Sequence, residues 1–416
     1  MDLILAPENM SAAWKQVKSN KGSAGVDNKS INDFPDYMHK KWSKVKQALL
    51  LGYYVPSPVL KVEIPKKSGG KRMLGIPTVL DRVIQQGISQ VLTPIFDPDF
   101  SESSFGFRPN RSAHGAIKQV RNHVQKKYKF AVDLDLEKFF DTVNHDILMN
   151  QVSKKISDKR VLKLIGKYLR AGMKDKIGDY IPTNIGTPQG GPLSPLLSNI
   201  LLDKFDKELE RKNLPFARYA DDVIILAKSL REGQQILSEV TSYLEGKLKL
   251  KVNREKSKVA EIKDCTFLGF TIKGTKIRWS EKSYNDFIYQ VKTLTGRSWG
   301  VSISYRLQKL KEYVSGWMNY YGISQFYSGV QNLDEWLRRR IRMCFWKQWR
   351  HGKTKYRKLT ELGVPESFAR MMAGSSKSYW HLSKSFATQS GMSNKWLEEQ
   401  GLVNIKALWC KAQGYK

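Results

Sequence analysis

The chain has 416 residues, with 71 Lys and Arg against 39 Asp and Glu, a net charge of +32 with histidine neutral, and 41 % hydrophobic residues. That mix excludes a disordered chain and suits two or three cored domains. Three scattered cysteines (Cys265, Cys344, Cys410), with no CxxC spacing or nearby His pair, exclude a disulfide framework, argue against a zinc site and fit a reducing cytoplasm. No run of about 18 apolar residues is present to span a membrane, and Met1 to Glu8 has neither the basic region nor the apolar stretch of a signal peptide. A charge surplus this large opposes compaction and calls for a polyanionic partner, nucleic acid ahead of an anionic membrane surface.

Residues 11–19 and 34–51 read as helices around the loop Asn20-Lys21-Gly22-Ser23-Ala24-Gly25-Val26-Asp27. Pro58 to Pro65 alternates as a strand, Lys67 to Gly70 reads as a turn, and Arg72 to Ile76 completes a hairpin. Val83, Ile84, Ile88 and Val91 stand at helical spacing within 79–92. Phe130 to Leu136 is a short strand with alternating acids, and residues 145–171 read as helices. Gly186 to Pro192 is a Gly/Pro-rich loop opening onto an apolar helix, 193–209. Phe216 to Leu226 reads as strand–turn–strand, followed by a helix over 231–247 and strands at 267–272 and 276–279. Residues 281–416 hold 23 Lys and Arg against 9 Asp and Glu, with eight of the eleven Trp, and read as a separate helical region.

Asp221 and Asp222 stand side by side between apolar strand segments. Like charges at a hairpin tip repel unless a cation is bound, although an Asp-Asp pair is also a common solvated turn. The strand Asp133-Leu134-Asp135 tips the balance. Alternation puts Asp133 and Asp135 on one face, opposite Val132, Leu134 and Leu136. One of these acids, with the pair at 221–222, could hold two divalent ions about 3.5–4 Å apart, which suits activation of a 3′-hydroxyl and stabilisation of pyrophosphate. Carboxylate and phosphate oxygens favour Mg2+, for which Mn2+ could substitute.

Tyr219-Ala220-Asp221-Asp222, with Asp135 five residues before Phe140, resembles the palm of reverse transcriptases. The ordered series around it is more specific: Lys66 and Arg72 flanking Gly69-Gly70, then Leu74-Gly75-Ile76-Pro77-Thr78, Asp81-Arg82 and Ser104-Phe105-Gly106-Phe107-Arg108-Pro109. It continues through Gly186-Thr187-Pro188-Gln189-Gly190-Gly191-Pro192-Leu193-Ser194-Pro195, Asn253 with Lys256-Ser257, and Phe267-Leu268-Gly269-Phe270. This series resembles bacterial group II intron-encoded reverse transcriptases, or maturases, over nearly the whole chain. With no His-Asn-His core or Cys pairs, the likeness is to the short class C-like form that lacks an endonuclease domain, where a replication fork could supply the primer.

The resemblance implies an α+β right-hand polymerase, its fingers and palm built on antiparallel sheet, followed by a helical thumb and a helical RNA-binding maturase domain. The implied divisions are an N-terminal extension over 1–50, fingers and palm over 51–282, thumb over 283–325 and maturase domain over 326–416. Asp135, Asp221 and Asp222 would be the catalytic acids and metal ligands, Asp221 firmer than Asp222, with Asp133 a second choice or a structural acid. Lys66 and Arg72 would grip the incoming triphosphate, and Phe140 would exclude a 2′-hydroxyl unless it is an ordinary core ring. Gln189 and Gly190 would approach the nascent pair. Tyr219, Ala220 and Phe267-Leu268-Gly269-Phe270 would hold primer and template. Lys256 could protonate pyrophosphate or be an idle exposed lysine; Arg108 could support the template or the nucleotide, or be a salt-bridged structural arginine.

In the tail, Ile341, Phe345 and Trp349 step by four and should bury one helix face, leaving Arg338, Arg339, Arg342 and Lys347 on the others for RNA. The implied partners are intron RNA, an RNA template with a DNA or RNA primer, dNTPs and target DNA, with no membrane. The implied place is the bacterial cytoplasm, at the nucleoid during mobility. A splicing-only cofactor would have no use for the crowded acids, a domesticated enzyme of DNA repair or phage defence has less need of the maturase-like tail, and a viral RNA polymerase fits poorly with Phe140.

Overall fold

Apolar alternation between turn residues sets the strands, and apolar residues three and four apart set the helices. A computed structural model describes residues 1–415 except 66–68, 176, 184, 188 and 189. The chain divides into two compact units, Met1–Glu261 and Ile262–Lys416.

The first unit opens with α1 (Pro7–Ser19), α2 (Phe34–Leu50), the strands β1 (Val59–Pro65) and β2 (Lys71–Ile76), α3 (Val79–Phe96) and α4 (Ala113–Gln125). Then come β3 (Phe130–Leu134), α5 (Phe139–Thr142), α6 (His145–Ser153), α7 (Lys159–Leu169) and the two-residue strands β4 (Met173–Lys174) and β5 (Tyr180–Ile181). It closes with α8 (Ser194–Arg211), β6 (Phe216–Tyr219), β7 (Asp222–Ala227), α9 (Leu230–Tyr243) and β8 (Lys258–Glu261). Among the described residues two four-stranded sheets result, ordered β2-β1-β4-β5 and β6-β7-β3-β8. The second is antiparallel throughout. Its residues Val132, Leu134, Val223 and Ile225 share one buried cluster with Leu201 and Phe205 of α8 and Ile236 and Val240 of α9. That packing leaves the end of the sheet, where β3 and β7 meet Asp135 and Asp222, free for chemistry.

The first sheet is anchored by a buried carboxylate. Asp81, in the first turn of α3, accepts hydrogen bonds from the Tyr54, Tyr168 and Thr78 hydroxyls and from Ser57 N, tying α3 to the approach to β1.

The second unit starts with a hairpin, β9 (Phe270–Lys273) and β10 (Lys276–Trp279), and is otherwise helical: α10 (Glu281–Leu294), α11 (Ile303–Tyr321), α12 (Tyr327–Gln348) and six shorter helices from Gly352 to Gln413. Val330, Leu333, Leu337 and Ile341 of α12 are buried at helical spacing and, with Trp346, belong to the core of this unit. Among the described residues, no helix is long and apolar enough to cross a membrane.

A mixed unit followed by a helical one matches the expected fold class. Local expectations change in several places, the strand expected over 130–136 ending at Leu134 among them. The strand expected from 267 begins at Phe270, because Leu268 (φ 50°) and Gly269 (φ 79°) take left-handed conformations that turn the chain. The helices α4 and α5, the pair β4–β5 and the strand β8 have no counterpart among the expected elements; α4 is capped by Ser112, whose side chain accepts from Gly115 N.

Candidate active site

Register places the acids. Tyr219 pairs with Asp222 across a turn made by Ala220 and Asp221, and Leu134 pairs with Val223. Asp135, one residue beyond Leu134, therefore leaves the sheet at the rung beside Asp222. Although the Asp222 side chain reaches solvent, its carboxyl is pushed up to about 6, first by loss of surrounding water and then by the charges of Asp221, Asp133 and Asp135. Burial also raises Asp133, partly offset by Lys258. These are oxygen donors of the type a hard divalent ion takes. Among the described residues no group of three such side chains converges as it stands. The charge crowded at Asp222 is the excess that a cation drawing the acids together would neutralise.

The segment after the π-helical turn Leu244–Leu248 zips onto the Asp135 strand. Asn253 N donates to Asp135 O at 2.9 Å, Asp135 N to Ser257 Oγ at 3.0 Å and Glu137 N to Lys251 O at 2.8 Å. This brings Lys256 Nζ to 3.8 Å from Asp135 Oδ2. A cavity of about 980 Å³ opens there, walled by Asp135, Asp221, Phe140 and Lys256, by Lys61, Lys71 and Arg72 of the β1–β2 hairpin, and by Lys251 and Arg254. Glu63, Glu137, Asp141 and Glu255 line it too, Glu63 paired with Lys71 and Glu137 with Lys251, so cations and acids alternate around a space suited to a substrate that carries phosphates and meets a metal. Phe140 is half-buried, packs edge-on to Phe139 at 5.2 Å, and its carbonyl accepts from Thr187 N at 2.6 Å. Lys66 and Gln189 lie outside the described residues. Gly190 (φ 129°) approaches a protein backbone: a Cβ there would stand 2.6 Å from Gly75 O.

The residues that hold the acid-bearing turn escaped the motif reading. Ala220 takes a left-handed φ of 59°, which costs a residue with a Cβ about 1 kcal/mol or more. Beneath it Arg218, fully buried, donates to Asp206 Oδ1 at 2.8 Å, Asn199 Oδ1 at 2.9 Å, Ser104 Oγ at 2.7 Å and Ala220 O at 2.9 Å. Asp206 is fully buried as well. Beside the turn, Phe105 N donates to Arg218 O and Arg218 N to Ser103 O, both at 2.8 Å. A Cβ on Gly106 would stand 2.3 Å from Ala220 N, so only glycine lets these backbones meet. The available signal was a charged residue inside a strand of core pattern, Phe216-Ala217-Arg218, and a second charge, Asp206, between Phe205 and Leu209. Arg108 takes the structural of its two readings: it is buried and bonds to Asp97, Ser101 O and Ser104 O.

In the second unit, Phe267 and Phe270 exchange backbone hydrogen bonds at 2.9 Å across Leu268-Gly269. Tyr320 donates to Leu268 O at 2.9 Å, so α11 fixes this turn. Along α12, Ile341, Phe345 and Trp349 are buried as expected. The cations beside them are engaged within the fold. Arg338 pairs with Asp334, Arg339 lies 3.8 Å from the Trp380 ring centre, and Lys347 Nζ donates to Arg297 O at 2.7 Å. Arg342, expected on an outer face, is instead buried; it donates to Met392 O at 2.9 Å and Asn394 Oδ1 at 3.0 Å, and burial drives its guanidinium down to about 10. Spacing by four did not separate it from the core face because shorter helices from 379 onward pack against α12 and enclose it.

A model of the reverse transcriptase (RNA-dependent DNA polymerase) family matches residues 64–272, and one of the group II intron maturase-specific domain matches residues 285–363. Protein YkfC of Escherichia coli K12 is 33 % identical over 349 residues, covering 73 % of this chain and 91 % of that protein. Group II intron-encoded protein LtrA of Lactococcus lactis subsp. cremoris is 34 % identical over 296 residues, covering 70 % of this chain and 48 % of LtrA, so the chain spans about half the length of that relative. A chain of a partial Cas6-RT-Cas1--Cas2 complex aligns at 28 % identity and a TM-score of 0.37, covering 59 % of this chain and 42 % of that one. At that score the family match and the strand topology, rather than the superposition, carry the fold.

Proposed function

The chain belongs to the reverse transcriptase family, with a group II intron maturase-specific domain behind its polymerase region, and from that premise we propose that it extends a primer 3′-hydroxyl with dNTPs on an RNA template and binds intron RNA to assist splicing and mobility. The observation that carries this reading is the acid-bearing turn: Asp222 stands beside Asp135 in the register of the sheet, and Asp135 and Asp221 wall a cavity that also carries Lys61, Lys71, Arg72, Lys251, Arg254 and Lys256.

Enzymes of this family use divalent metals. Asp135, Asp221 and Asp222 are the residues we assign to hold them, with Mg2+ as the ion and Mn2+ as its substitute. When bound, such ions would favour ionisation of the 3′-hydroxyl and neutralise charge on the leaving pyrophosphate. The chain's own groups do the rest. Arg72, with Lys66, holds the triphosphate so that the 3′-oxygen faces the α-phosphorus. As the 3′-hydroxyl loses its proton to solvent, the new P–O bond forms and the bond to the β-phosphate oxygen breaks, and Lys256 would give its proton to the leaving pyrophosphate. Phe140 fills the space a 2′-hydroxyl would need. Gln189, Gly190, Tyr219 and Ala220 border the nascent pair, and Phe267 to Phe270 supports the primer.

We assign residues 1–50 to template contacts, 51–282 to fingers and palm, 283–325 to the thumb and 326–416 to intron RNA, in a bacterial cytoplasmic setting with target DNA as a further partner. In the last region Arg338, Arg339 and Lys347 remain the candidate RNA contacts. The test is extension of a DNA primer on an RNA template with Mg2+ and dNTPs. Template-dependent incorporation is expected, and its absence from folded, RNA-binding protein would leave a splicing cofactor.

A further inference from the structure

A second groove of the first unit, of about 610 Å³, lies among α3, α6, α8 and the end of α9 and shares no lining residue with the acidic cavity. Phe96, Phe100, Ile200 and Tyr243 give it apolar walls. Two further lining side chains end in buried polar atoms without a partner among the described residues: Gln151 Nε2, a donor, and Asp203 Oδ1, an acceptor. Gln151 is only 8 % exposed. Native folds seldom leave such groups unpaired, and a donor and an acceptor lining one groove can meet the mixed donor and acceptor edge of a nucleobase.

The cations follow the same logic. Lys155 and Arg211 in this groove are paired, with Asp99 and Glu208. Lys154, Lys204 and Lys247 have no acidic partner among the described residues. Burial and the charge of Lys154 hold the Lys204 ammonium below its ordinary value, a repulsion that an anion between the two would relieve.

We propose that this groove takes one unstacked nucleotide, its base between the aromatic walls and against Gln151 and Asp203 after small side-chain rotations, its phosphate between Lys154 and Lys204. The nucleotide is either extruded from a folded RNA, a source that rests on the RNA-binding reading above, or a free nucleoside 5′-phosphate.

The full chain is titrated with an RNA hairpin carrying one bulged adenosine, with its fully paired counterpart, and with adenosine 5′-monophosphate followed by saturation-transfer NMR. The expected result is a preference of about fivefold or more for the bulged hairpin, lost in Gln151→Leu and in Lys154→Ala combined with Lys204→Ala. Extension of an oligo(dT) primer on poly(rA) should stay at the wild-type rate in these variants. Bulge preference without monophosphate binding assigns the site to RNA. Monophosphate binding that these variants abolish, without bulge preference, assigns it to the free nucleotide. Equal affinity for both hairpins with no variant-sensitive monophosphate signal overturns the proposal. Bulge preference in a wild-type chain that fails to extend the primer would sink the polymerase reading and leave the groove standing. Should Gln151→Leu misfold, the surface lysine pair carries the test alone.

Discussion

Asp206→Ala removes the one carboxylate that accepts hydrogen bonds from the buried Arg218 guanidinium among the described residues. Three of the six hydrogen bonds from that guanidinium go to Asp206; the others reach Asn199, Ser104 and Ala220 O. An uncompensated cation would stay in a site where neither partner is exposed. Losing one member of a buried pair costs about 3–5 kcal/mol. For a unit of this size that corresponds to a fall in melting temperature of roughly 6–20 °C. A second variant separates stability from positioning. Arg218→Met with Asp206→Leu replaces the pair by apolar groups, which often restores stability to near wild type. It also leaves the Ala220 carbonyl, at the left-handed corner of the acid-bearing turn, without its buried donor. We expect this double variant to fold and to melt above Asp206→Ala, though below wild type because the Ala220 carbonyl and Asn199 Oδ1 lose their donor, and to polymerise about 10–100-fold more slowly, because displacement of catalytic groups by about 1 Å can cost that much. Thermal unfolding and steady-state primer extension read the two effects. A double variant that melts and polymerises like wild type would refute the positioning role. An Asp206→Ala loss below about 1 kcal/mol would show that the cation is not enclosed.

The Asp203 carboxyl, raised to about 6 from 3.8 by burial and then by Asp206, makes ionisation a cost to the folded state, so stability should fall as pH rises from about 4 to 6. Asp203→Asn should therefore be more stable than wild type at about pH 8, by up to about 3 kcal/mol, and equal to it below about pH 4; urea titrations in which the gain persisted at low pH would contradict this. Phe140→Ala should admit ribonucleotides, and unchanged discrimination in single-nucleotide incorporation would remove Phe140 as the sugar gate. Arg342→Ala should lower the thermal stability of the chain by about 1–3 kcal/mol, since it strands the Met392 carbonyl. The salt dependence of RNA binding should hardly change in that variant; a flattened slope would return Arg342 to the RNA surface.

Much of the site could be read from residue order. The hairpin around Asp221-Asp222, the acidic strand at Asp133 to Asp135 and the β1–β2 hairpin all rest on period-two alternation broken by turn residues, a local signal. What escaped depends on distant partners. Arg218 reads as one more charge until Asp206, twelve residues away, and Ser104, 114 residues away, are seen to meet it. Arg342 reads as an outer-face cation until the helices after 379 close over it. The turn at Leu268-Gly269 reads as strand because Phe267, Phe270 and Ile272 are apolar, and apolar residues alone do not reveal two consecutive left-handed residues.

The most direct measurement of the central claim pairs primer extension with RNA affinity in Asp221→Asn combined with Asp222→Asn. The account predicts that the variant binds RNA as wild type does, no longer shows a rise in melting temperature on addition of Mg2+ or Mn2+, and incorporates no nucleotide. Wild-type incorporation by this variant, or RNA affinity lost along with synthesis, would contradict it.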